Sequence, residues 1–151
     1  MIISFIGHSF VPDANAVKEK VKKLLNSIVD IEKITFYLGG HGSFDEICAC
    51  VCRELKKEHK NWEIVYVTPY MSLSEQSKIK ENERLCLYDL SIYPPIESTP
   101  KKFAILKRNE WMMTNSDLII AYVNHGCGGA YKTLQFAKRK KKTIINICDL
   151  I

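Results

Sequence analysis

The stretch LIIAYVNHGCGGAYKTLQFAKRK, residues 118–140, runs from an apolar segment through a glycine-rich turn into a helix-like segment. Leu118 to Val123 is continuously apolar, as strands covered on both faces are. It stops at Asn124-His125-Gly126-Cys127-Gly128-Gly129, and Ala130 to Lys140 follows with helical spacing. Two earlier segments repeat the order. Met1 to Ile6 ends at Gly7-His8-Ser9 and leads into a predicted helix over residues 13–27, with Val17, Val21, Leu24 and Leu25 on one face. Ile34 to Leu38 ends at Gly39-Gly40-His41-Gly42-Ser43 and leads into a helix over residues 44–59 carrying Ile47, Val51 and Leu55.

Strands separated by helices need crossover connections, and crossovers produce parallel pairing. The predicted fold is α/β, a Rossmann-like three-layer sandwich with a mostly parallel sheet. Trp62 to Val67 supplies a third strand, stopped by Pro69. Residues 70–100 read as an excursion over the pocket with one short strand at Leu85–Leu90. A helix over residues 101–115 and a last strand at Thr143–Cys148 complete the series. The 151 residues suit a single domain spanning positions 1–151.

Composition bounds the function. The net charge of +5 is modest, and much of it lies in Lys138-Arg139-Lys140-Lys141-Lys142. At the end of a helix, such a run complements the negative pole of the dipole and solvates a turn. Six cysteines without a secretory pattern point to a reducing, cytoplasmic setting. Cys48, Cys50 and Cys52 lack the partner spacing of a zinc ribbon, so no metal is expected. No apolar run approaches the ~20 residues of a membrane span.

The three turns carry the candidate site. Turns at the carboxyl ends of parallel strands gather around small anionic ligands, which lie against backbone N–H groups and helix N-termini. Glycines there let a phosphate approach the backbone. The candidate ligand-binding residues are Gly7, His8, Gly39, Gly40, His41, Gly42, Asn124, His125, Gly126, Gly128 and Gly129. Arg108, on one helical stripe with Ala104, Met112 and Asn115, is placed at the edge of a buried face and is the candidate cation for a bidentate phosphate contact, the alternative being a surface arginine whose stem packs on Trp111. His8, His41 and His125 read first as hydrogen-bond donors to ligand oxygens, second as structural turn residues and last as metal ligands, while His59 reads as a solvated helix end. Cys127, in a loop at a helix N-terminus, is either a reactive thiol or simply a small side chain.

RNEWMMTNSDLIIAYVNHGCGGA, Arg108 to Ala130, resembles the equivalent region of the LOG phosphoribohydrolases, keeping the spacing of Arg108, Met112, Ser116 and Asp117. With Phe5-Ile6-Gly7-His8, Tyr37 to Asp45 and Tyr93-Pro94-Pro95, the chain resembles small YpsA-like members of the SLOG (SMF/DprA-LOG) superfamily. That resemblance implies a nucleotide or nucleotide-derived ligand, which relatives variously cleave, sense or, in DprA, replace with single-stranded DNA. It also implies a homo-oligomer. Where the LOG loop carries its glutamate, this chain has Tyr131, Lys132 and Thr133. Binding of a nucleotide-derived small molecule is therefore the first expectation, with no cofactor and with catalytic residues unassigned. Cleavage of an N-glycosidic bond, which needs a carboxylate, is the alternative; Asp45, Glu46, Glu75, Glu81, Glu83 and Glu97 are available with none singled out, and Asp45 also suits the N-terminal end of its helix. Binding of single-stranded DNA through the basic run is a third reading, and nucleic acid is not expected among the partners.

Overall fold

The computed structural model describes residues 1–28 and 33–150. Among them, six strands form one parallel sheet: β1 (Ile2–Gly7), β2 (Thr35–Leu38), β3 (Glu63–Val67), β4 (Leu90–Ile92), β5 (Leu118–Tyr122) and β6 (Ile144–Asn146). Their spatial order is β4-β3-β2-β1-β5-β6. Every paired strand runs parallel. The helices are α1 (Ala14–Asn26), α2 (Ser43–Lys56), α3 (Leu73–Arg84), α4 (Ala104–Thr114) and α5 (Gly128–Arg139).

Alternate residues of the strands face opposite layers, as strand geometry requires. Ile3 and Phe5 of β1 join Val17 and Val21 of α1 and Ile47 and Val51 of α2 in one core. Ile6 joins Met112 and Met113 of α4 and Leu134 and Ala137 of α5 in the other. The layers are thus helices, sheet and helices, and the expected Rossmann-like α/β architecture is what is observed.

The excursion over residues 70–100 differs from expectation. Residues 73–84 form α3, and the short strand is Leu90–Ile92 rather than Leu85–Leu90. Helix α3 has a single buried residue, Ile79, so its sequence shows almost no apolar stripe. Its start is set instead by Ser72, whose side chain accepts from the Glu75 N–H. Its end is set by Cys86 at φ +60°. His59 also differs: its ring stacks on Trp62 with centroids 4.0 Å apart.

Ser116 and Asp117 stand at the amino end of β5, the sheet edge remote from the glycine turns. The Ser116 hydroxyl meets that of Ser4, and Asp117 accepts from the Ile2 N–H at 2.7 Å. Both residues fasten β5 to β1.

Candidate functional site

The strand order reverses direction between β1 and β5. To one side of β1 the chain proceeds to β2, β3 and β4, and to the other to β5 and β6. Loops leaving two such strands diverge to opposite faces and open a crevice at their carboxyl ends. A cavity of 430 Å³ occurs there, lined by the turn after β1 (Gly7, His8, Ser9), the turn after β5 (Asn124, His125, Cys127) and the first residues of α5. His41 and Asp45 border it from the β2 side, and Ile105, Arg108 and Asn109 from α4.

His8 and His125 lie against each other in the crevice wall with rings stacked at 3.7 Å and 5°. The Asn124 backbone N–H donates to His8 Nε2 at 3.0 Å, so that nitrogen is unprotonated and the proton of neutral His8 sits on Nδ1. Burial first, and the neighbouring His125 second, hold the His8 imidazole below its ordinary range. His125 Nδ1 lies 3.3 Å from Cys127 Sγ.

Helix α5 begins without any internal stabiliser for its N-terminal pole. Its N-cap Cys127 makes no side-chain cap hydrogen bond, and its first turn contains no acidic residue. A Cβ added at Gly126, Gly128 or Gly129 would meet nothing within 4 Å. Gly128 needs its freedom for φ +90°, but the other two glycines answer to no local steric demand. Helix α2 differs: its first turn already holds Asp45 and Glu46, which complement its dipole.

The second glycine turn has mainly internal duties. A Cβ at Gly40, which has φ +65°, would lie 2.8 Å from the Tyr66 ring, and one at Gly42, with φ +92°, would lie 2.7 Å from Ser9 Cα. Gly42 and Ser43 bring α2 against the first turn, where the Ser43 N–H donates to the Ser9 carbonyl at 2.9 Å. Gly39 backs onto the Arg108 guanidinium, with a hypothetical Cβ only 3.1 Å from Arg108 Cζ.

Arg108 is 1% exposed, deeper than the edge position its helical stripe suggested. Its Nη1 donates to the carbonyls of Gly39 and Val67, each at 2.7 Å, and Nε donates to Asn109 Oδ1 at 2.8 Å. The side chain ties together the carboxyl ends of β2 and β3 and reaches the crevice wall with what is left of its fork. Asp45 is the crevice carboxylate that pattern alone left unidentified. It is 8% exposed and accepts from the His41 N–H at 2.9 Å. Burial raises its pKa to about 6, against the opposing pull of the His41 N–H and the Arg108 charge.

Of the residues singled out by sequence, the crevice brings together Gly7, His8, His41, Arg108, Asn124, His125, Gly128 and Gly129. Gly40 and Gly42 border a different cavity, described below. Among the described residues no group of three potential metal ligands converges. Among the same residues no helix is long and apolar enough to cross a membrane.

No protein-family model matches the chain. A curated relative, the uncharacterized SPbeta prophage-derived protein YoqJ of Bacillus subtilis, is 27% identical over 146 residues, covering 85% of this chain and 84% of that one. The fold is shared with DNA processing protein A, DprA. The Helicobacter pylori protein superposes with a TM-score of 0.60 at 15% identity over 95% of this chain. The Streptococcus pneumoniae protein does so with a TM-score of 0.62 at 14% identity over 94%. The chain spans 63% and 48% of those two structures, so its counterpart is a part of each. The H. pylori structure is described for its single-stranded DNA binding mode. That finding corrects the expectation that set nucleic acid aside, because a protein that shares this fold binds single-stranded DNA.

Proposed function

We propose that the crevice between β1 and β5 binds a phosphorylated nucleotide or nucleotide-derived molecule, with phosphate at the N-terminus of α5. The observation that carries this reading is the uncapped, acid-free start of α5 beside glycines that no protein atom approaches. Free N–H groups and the helix dipole attract an anion, and missing side chains allow it to come close. The stacked imidazoles of His8 and His125 offer a donor and an apolar ring face beside that pole. Arg108 contributes positive potential more than a free fork, because Nη1 and Nε already serve protein acceptors.

Titration calorimetry with the four ribonucleoside 5′-monophosphates and their parent nucleosides tests the reading. The phosphate should improve affinity by about tenfold or more, equivalent to at least about 1.4 kcal/mol. Equal binding of nucleoside and nucleotide, or binding of neither, would sink it.

Single-stranded DNA is a second reading, favoured by the likeness to the H. pylori protein. Contacts to several phosphates release counterions, so affinity for an oligonucleotide would fall steeply between about 50 and 200 mM salt. Hydrolysis of the N-glycosidic bond has one buried carboxylate in reach, Asp45, and no acidic residue in the first turn of α5 to accompany it. An assay for free base and ribose 5-phosphate, the two products of that cleavage, with Asp45→Asn as the control addresses that activity.

A further inference from the structure

A second cavity of 580 Å³ lies on the other side of the Gly39–Ser43 turn, between α2, α3 and the segment leading to β4. It shares Ser9 and Asp45 with the crevice, so the two spaces meet at a common wall. Each is large enough for one drug-sized ligand or one nucleotide unit.

The lining of this cavity differs from that of the crevice. The rings of Tyr66 and Tyr88 stand 5.2 Å apart at 31°, and Leu38, Ala49 and Leu87 extend the apolar wall. The Tyr66 hydroxyl is committed to Glu75 at 3.0 Å, leaving its ring as a surface against Gly40. The Tyr88 hydroxyl is buried without a hydrogen bond of acceptable geometry. Asn82 lies beside it, near enough to draw its pKa down against the burial that pushes it up. Arg53 and Lys78 border the same cavity, one from α2 and one from α3, together with the carboxyl-bearing Asp45 and Glu46 at the start of α2, and neither cation has an ion-pair partner among the described residues.

Aromatic walls, a tyrosine hydroxyl beside an amide, and two cations suit a heterocyclic base attached to a phosphate. We propose that this cavity is a second nucleotide subsite, and that the molecule recognised consists of two nucleotide units joined through phosphate. One unit lies in the β1/β5 crevice, and the other passes the Ser9 wall to occupy the space between α2 and α3. The inference rests on nucleotide binding in the crevice and names its ligand class. A free dinucleotide and a stretch of single strand share this chemistry.

The test compares AMP with the 5′-phosphorylated dinucleotide pApA by calorimetry on the full chain. Tethering converts the second contact into an intramolecular one, so pApA should bind at least about tenfold more tightly than AMP. Ala49→Trp fills the second cavity from α2. It should bring pApA down to the affinity of AMP while leaving AMP unchanged. Because that substitution can disturb the core beside it, the double variant Arg53→Gln and Lys78→Gln provides an independent measurement, with a loss of about fivefold or more expected for pApA alone. Equal affinity of AMP and pApA for the unmodified protein, or undiminished pApA binding in the folded variants, overturns the second subsite and leaves the crevice reading intact. Binding of neither ligand overturns both. A circular single strand has internal dinucleotides but no ends. Its competition with pApA assigns the source as polynucleotide, and failure to compete assigns it as a free dinucleotide; the two-unit site stands in either case.

Discussion

Arg108 Nη1 donates to the Gly39 carbonyl at 2.7 Å, linking α4 to the end of β2 across 69 positions of sequence. The same nitrogen serves Val67 at the end of β3. A guanidinium so placed sets the spacing of two strand ends and the turn between β2 and α2. Any ligand contact proposed for Arg108 is therefore inseparable from the shape of the crevice wall.

Arg108→Ala should destabilise the protein by about 2–4 kcal/mol, because it leaves two buried carbonyls unpaired and opens a cavity. Arg108→Lys should recover part of this, since an ammonium lacks the planar fork. Urea denaturation of both variants measures the effect. A stability loss below about 0.5 kcal/mol for Arg108→Ala would contradict the strand-tying role.

The glycines should separate into two kinds on substitution. At Gly7 a Cβ would collide with the buried Phe44 ring, which is stacked on Tyr122. Gly7→Ala is expected to cost about 2–3 kcal/mol through overpacking. Gly129→Ala meets open space within α5 and should be neutral or up to about 1 kcal/mol more stable. Its cost should fall on nucleotide affinity, about tenfold, because the new methyl stands where a phosphate would approach. Parallel melting and binding measurements distinguish the two.

Asp45 gives a pH signature. Its folded pKa, about 6, exceeds its ordinary 3.8, so between these values the native state holds more protons than the unfolded chain. Stability attached to the protonated carboxyl is lost as pH rises from about 4 through about 6. Asp45→Asn retains an acceptor for the His41 N–H without the charge. It should gain on the order of 2 kcal/mol relative to the native protein at pH 8, and much less at pH 4. Stability curves measured against pH for both proteins test this, and parallel curves would exclude the assignment.

His8 behaves in the opposite sense. Its folded pKa lies below the ordinary 6.5, so the unfolded state binds more protons as pH drops, and the contribution of neutral His8 is lost below about pH 6.5. His125→Asn removes the second cause of the depression while burial remains. The His8 imidazole pKa, followed by NMR titration, should rise in that variant but stay below the ordinary value. An unchanged midpoint would show that the stacked pair is not electrostatically coupled.

The positions of five strands and four helices could be read directly, because buried parallel strands are continuous apolar runs and their helices carry a stripe of period 3.6. Helix α3 could not, since only Ile79 is buried on it and its signal reduces to the cap at Ser72. The gathering of His8, Asn124 and His125 followed from topology alone. Turns at the carboxyl ends of neighbouring parallel strands must meet, whatever their side chains do.

Local sequence also determined that Gly40, Gly42 and Gly128 would be turn residues, each adopting positive φ. Tertiary structure decided what each glycine is for. Gly7 makes room for Phe44, Gly39 for Arg108 and Gly40 for Tyr66, whereas Gly126 and Gly129 make room for nothing in the protein. Such differences depend on atoms tens of residues away, which no local pattern contains. The same holds for Arg108 and Asp45. Their residue types and spacing suggested a phosphate contact and a helix-end carboxylate, but burial and the company of distant backbone groups determine what they do. Periodicity specifies which face of an element turns inward; only the packed chain specifies what that face meets.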